Sequence, residues 1–424
     1  MTRRRLAVGF LAAALAVFLV LTSTRLFTDP AGAGSTTSVL AIKAERGRAV
    51  ALERLDSGSL RPLGRSVPLR NHGRAWSLSP DRSRLVLARA GEAARSSPLS
   101  LRFVDLRGMR VDRDVPLTGE PGGRVRATAW VGEKHVLVLL GYDGAPGGRL
   151  LLVDAGAGGI LRRRDLAPDR WVIGGAHTSG GFVLLLAPQT SIRPVRLLVV
   201  DRALAVRSVV LDRIRAGARQ RVEAEGFTME RREPGLAVDS TGARAYVVGA
   251  DEPVATVDLR SLRVAYRPLD AVRAPAVSTK SLEGPVRTAV WLGNGLVAVS
   301  GSTYGGLDER TRRFVEEPAG LHLLDTRTGT MRLIDPGASS VLHAGGMLVT
   351  HVDGRGLSGF DLKGRERWTA LVGAQVAGAQ VAGGGIVVVT DPGEVFVLDS
   401  TSGRVLARPS GPVPQLLSDA APIW

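Results

Sequence analysis

Glu394-Val-Phe-Val-Leu-Asp399-Ser-Thr-Ser-Gly403-Arg-Val-Leu-Ala407 reads as two short strands joined by a polar turn. Alternating apolar residues carry each strand, an Asp side chain can accept hydrogen bonds from its own turn, and Gly403 can take positive φ without steric cost. Weaker copies of this phrase recur back to the start of the chain. The turn Asp returns as Asp56, Asp105, Asp154, Asp201, Asp258, Asp325, Asp361 and Asp399, at spacings of 49, 49, 47, 57, 67, 36 and 38 residues. A strand-built period of that size is the mark of propeller blades.

Each period holds a second hairpin upstream of the Asp turn, clearest from Ala75 to Ala88 and from Leu236 to Val248. Four strands per unit follow, named A to D from the inside outward. Trp76, Trp130 and Trp291 fall at equivalent places near the end of strand A, which points to packing between blades. The first unit opens at Ser38-Val-Leu-Ala-Ile-Lys43 like a strand B, with no strand A before it. The chain runs on past Pro414 to Ala421-Pro-Ile-Trp424, so the C-terminus is expected to supply the missing strand and close the ring. The expected fold is all-β: an eight-bladed propeller, with seven blades as the alternative, of four-stranded antiparallel blades over residues 38–424.

The units resemble those of bacterial extracytoplasmic propellers of the WD-like and quinoprotein-like kind. Asp361-Leu-Lys-Gly364-Arg-Glu-Arg-Trp368 is similar to the docking pattern of quinoprotein repeats, which implies that Trp368 packs on the next blade. In the last unit Leu406 stands where that Trp would be. Quinoprotein dehydrogenases resemble one another in a vicinal cysteine pair, and this chain has no cysteine. No cofactor is therefore expected. The lack of cysteine also removes disulfides, thiolate nucleophiles and thiolate metal ligands.

The net charge is +16, and only Lys43, Lys134, Lys280 and Lys363 of the 56 basic residues are lysine. A sequence pI near 11.2 favours anionic partners or a solvated basic surface. Arg3, Arg4 and Arg5 precede a stretch without charge from Leu6 to Thr24. Its length lies between a signal-peptide core and a spanning helix. The reading adopted is a transmembrane signal anchor over residues 1–27 and a flexible linker over 28–37, with everything after Leu26 outside the cytoplasm by the positive-inside rule. Cleavage near Ala33, giving a secreted domain, is the alternative.

In a four-stranded blade the B–C and D–A connections share one face. The long segments from Gly91 to Pro98, Tyr142 to Gly148, Pro188 to Pro194, Arg213 to Glu233 and Gly301 to Gly320 all fall there. Insertions on one side of a repeat protein mark its binding face. The candidate interaction residues are Arg215, Arg219, Arg221, Arg231, Arg232, Tyr304, Arg310, Arg312 and Arg313, and the segment from Arg213 to Glu233 has room for a short helix. Neither of the two longest loops is strongly basic and aromatics are 4% of the chain, which argues against nucleic acid. The six histidines have no metal-ligand spacing, and no nucleophile elbow, Walker loop or calcium loop occurs. No catalytic or metal residue is assigned.

These features point to a monomeric, non-catalytic binding or scaffolding module for an envelope protein or surface ligand. A metal-dependent lactonase-like hydrolase, with carboxylates and histidines converging at one channel mouth, is the first alternative. A sensor or carrier of an anionic cell-wall component is the second.

Overall fold

The computed structural model describes residues 38–45, 48–69, 72–89, 99–120, 123–142, 145–188, 190–223, 226–249, 253–268, 286–308, 313–382, 384–391, 393–410 and 415–417. The expected anchor and linker lie outside these residues. No helix among the described residues is long and apolar enough to cross a membrane.

Eight antiparallel sheets follow one another, each with the strand order expected of a blade. The inner strands A of blades two to eight are His72–Leu78, Gly123–Val131, Trp171–Thr178, Gly235–Val238, Val286–Gly293, Leu342–Ala344 and Gln375–Ala382. In blade one, Ser38–Glu45 and Arg48–Asp56 are strands B and C, and the inner position is taken by Gln415–Leu417 from the other end of the chain. Leu416 faces Ala41 in that pairing, and the Leu416 amide also donates to Gln380 Oε1 of blade eight at 2.9 Å.

The core is divided among the junctions between blades. Eight clusters of buried apolar side chains each draw on two neighbouring blades, from Ile42, Leu52, Leu85 and Leu87 between blades one and two to Ala41, Leu55, Val387 and Val397 between blades eight and one. This follows from strand alternation, since successive residues point to opposite faces of a radial sheet and both faces are covered. The tryptophans lie where their period requires. Trp130 Nε1 donates to the Ser77 carbonyl of blade two at 3.1 Å, and Trp291 stacks on Tyr246 of blade five at 5.4 Å.

Every turn Asp caps its own C–D turn. In all eight blades its Oδ1 accepts one or two backbone N–H groups of the next residues, at 2.7–3.1 Å. Arginine then ties blades together. Arg54 donates to the Leu106 carbonyl at 2.8 Å, Arg162 to Ala203 at 3.2 Å, Arg207 to Leu259 at 2.9 Å and Arg267 to Thr326 at 2.9 Å, and Arg113 reaches the Gly156 carbonyl. Each donor sits in one blade and each acceptor in the C–D turn of the next, so part of the arginine surplus is structural.

Candidate interaction face

Two long strands rise out of the ring on the B–C and D–A side. Strand D of blade four, Val206–Glu223, pairs first with strand C and then, beyond the sheet edge, with Gly226–Arg232. The segment with room for a helix is thus a β-hairpin: pairing with strand C sets an extended backbone before the Arg- and Glu-rich stretch begins. Gly217 permits the bend. Its φ is +117°, and a Cβ there would stand 2.2 Å from the Ser191 carbonyl oxygen. Strand B of blade six, Leu296–Asp308, continues in the same way into a hairpin with Arg313–Pro318.

Register places most of the expected interaction residues on these hairpins. By register Arg219 is opposite Glu230, Arg221 opposite Thr228, and Arg232 opposite Gly217 on the first hairpin. Arg231 is opposite Ala218. Arg215 is exposed lower on the same strand, opposite Pro194. On the second hairpin Tyr304 is opposite Glu316 and Arg313 is opposite Asp308 in the register. Arg310 and Arg312 lie outside the described residues. Register thus pairs residues of opposite charge on both hairpins, Arg219 with Glu230 and Asp308 with Arg313, and Phe227, Tyr304 and Phe314 also lie in these strands.

Elsewhere the titratable groups have structural surroundings. Burial pushes the imidazoles of His322, His343 and His351 below their ordinary range. Glu120 is buried and accepts from Arg149 and Arg163, each at 2.9 Å, which fastens the connection after blade two to blade three. Asp335 accepts from Thr350 Oγ1 at 2.8 Å and is paired with Arg355. Among the described residues, no group of three His, Asp or Glu side chains could hold a metal ion.

Fold and face together define an eight-bladed β-propeller with two hairpins raised on one side. No protein-family model and no curated protein matches the chain. Solved structures similar to it include the computationally designed Ika8 protein, at 11% identity and a TM-score of 0.49 over 82% of this chain and 91% of that one. BamB from Moraxella catarrhalis is similar at 14% identity and a TM-score of 0.44, covering 88% of this chain and 92% of its own. A chain of the mitotic checkpoint complex is similar at 14% identity and a TM-score of 0.43, with 88% and 94% covered.

Proposed function

We propose that this chain is a membrane-anchored, extracytoplasmic propeller, closed by its C-terminal strand, that acts as a non-catalytic binding or scaffolding module for an envelope protein. The observation that carries this reading is the pair of hairpins on blades four and six, flanking blade five on one face. A lone β-hairpin is marginal in water. One that rises from a sheet and carries aromatic residues in its sequence is suited to pack against a partner. Phe227, Tyr304 and Phe314 lie on these hairpins in a chain with few aromatics, and aromatic anchors dominate protein interfaces. Residues 1–27 serve as the anchor, 28–37 as the linker and 38–424 as the binding domain.

The test replaces residues 218–231 with a two-residue turn. The variant is expected to keep the circular dichroism spectrum and melting profile of the parent and to lose its partner on co-purification from envelope membranes. Undiminished recovery of the same partner would contradict the reading.

A further inference from the structure

On the side away from the hairpins, the junction of blades three and four holds a pocket. Its volume is about 390 Å³, it opens to solvent, and it is lined by Val131, Gly132, Glu133, Lys134 and His135 of blade three and by Arg202 of blade four. The first five form the A–B turn. Val131 pairs with His135, Gly132 turns the chain with φ of +61°, and the Lys134 carbonyl accepts the Ala155 amide at 2.8 Å. Arg202 follows Asp201 in the C–D turn of blade four. That turn is fixed by Asp201 Oδ1, which accepts the Ala203 and Ala205 amides at 2.8 and 2.9 Å, and by Arg162, which donates to the Ala203 carbonyl at 3.2 Å. Both walls therefore have a held backbone. Lys134 and Arg202 are exposed, and among the described residues neither the ammonium nor the guanidinium makes a hydrogen bond or salt bridge. Asp154 attracts Lys134 and His135 at longer range, but its Oδ1 accepts the Gly156 and Ala157 amides, each at 2.7 Å, and it does not line the pocket.

We infer that this pocket binds a phosphodiester, the group found in glycerophospholipid headgroups. A guanidinium matches paired phosphate oxygens and an ammonium supplies a compact point charge, here brought together from two blades. Glu133 sets the selectivity. Two cations and one carboxylate in the lining leave a surplus of one positive charge, which suits a singly charged diester better than a phosphate monoester carrying about −1.5 to −2 at pH 7. The carboxylate can also accept a hydrogen bond from a hydroxyl or ammonium on the same headgroup. Position favours a lipid source. Ser38 is opposite Asp56 at the C–D turn, so the chain enters the propeller on this same face, and the linker over 28–37 spans at most roughly 36 Å. This last step rests on the membrane-anchored reading, whereas the binding chemistry does not.

The test is saturation-transfer NMR on the full chain in maltoside micelles, with glycerophosphoglycerol as the diester and glycerol 3-phosphate as the monoester. Wild type is expected to bind the diester more tightly. Lys134→Gln with Arg202→Gln should weaken diester binding about tenfold or more, with an unchanged circular dichroism spectrum because both side chains are exposed. Arg404→Gln, on the C–D turn of blade eight, should leave binding as it is, and Glu133→Gln should remove the preference for diester over monoester. No diester binding by wild type, equal loss in Arg404→Gln, or equal or tighter binding of the monoester by wild type overturns the inference. Repeating the titration in phosphatidylglycerol nanodiscs distinguishes the sources: weaker binding there assigns the headgroup of the surrounding bilayer, and undiminished binding a soluble diester. Release of the chain from membranes by carbonate would overturn the anchor and leave the micelle result standing.

Discussion

The indole of Trp368 in blade seven closes over Gly403 in blade eight, so tightly that a Cβ built on that glycine would stand 2.5 Å from the ring. Trp368 Nε1 also donates to the Ser400 carbonyl oxygen at 3.2 Å. Gly403 has φ of +69°, so glycine is favoured there on both counts. Trp368→Ala should lower unfolding stability by about 3–5 kcal/mol through the cavity it leaves. Trp368→Phe keeps most of the volume and should lose about 1 kcal/mol with the hydrogen bond. Urea unfolding monitored by circular dichroism distinguishes them, and equal midpoints for both variants would count against this docking.

Arginine does at other junctions what this tryptophan does here. Arg207 and Arg267 each donate to carbonyls in the C–D turn of the following blade. Both are exposed, so each is worth less than a buried pair. Arg207→Ala and Arg267→Ala should each lower stability by about 1 kcal/mol in urea, with little change when salt is raised, because the acceptors are neutral. A loss abolished by salt would point to ion pairing instead.

Stability should fall in two stages as pH drops. The imidazoles of His322, His343 and His351 are depressed by burial, so the unfolded chain takes up their protons first. A shallow loss is expected below about 6.5, the ordinary histidine value. The turn carboxylates Asp56, Asp105, Asp154, Asp258, Asp325, Asp361 and Asp399 are held below the ordinary carboxylate range by hydrogen bonds within their turns. Their contribution is complete above about pH 4 and is lost as pH falls through their lower folded values. Asp81, lowered to about 2 by the Ser79 and Ser83 hydroxyls and the Ser83 amide, titrates among the last. Urea midpoints measured from pH 7 to 2 should therefore steepen below about 4, and Asp399→Asn should reduce that slope.

Removing residues 414–424 takes Leu416 and Leu417 out of two core clusters and leaves strand Ser38–Glu45 with a bare edge. The lost burial is about 2–3 kcal/mol per leucine, which corresponds to a drop in melting temperature of roughly 10 °C. An unchanged melt would sink the account of ring closure.

Much of this frame can be read from the sequence because it is local and repeated. Asp399 and its seven counterparts each cap a turn within five residues, and Trp76, Trp130 and Trp291 recur with the same period. The hairpin over Arg213 to Glu233 is harder to read: its Arg, Glu and Ala suit a helix, and only pairing with Ile192–Val200 decides for a strand.

The central claim is that the hairpin face, not the face of tight turns, meets the partner. Photo-crosslinking residues placed singly at Thr228 and Val315 on the hairpins, and at Arg107 and Thr401 on the C–D turns, test it directly in intact cells of the source organism. The account predicts one discrete crosslinked protein from Thr228 and Val315 and none from Arg107 or Thr401. The same adduct from the turn positions, with none from the hairpins, would contradict it.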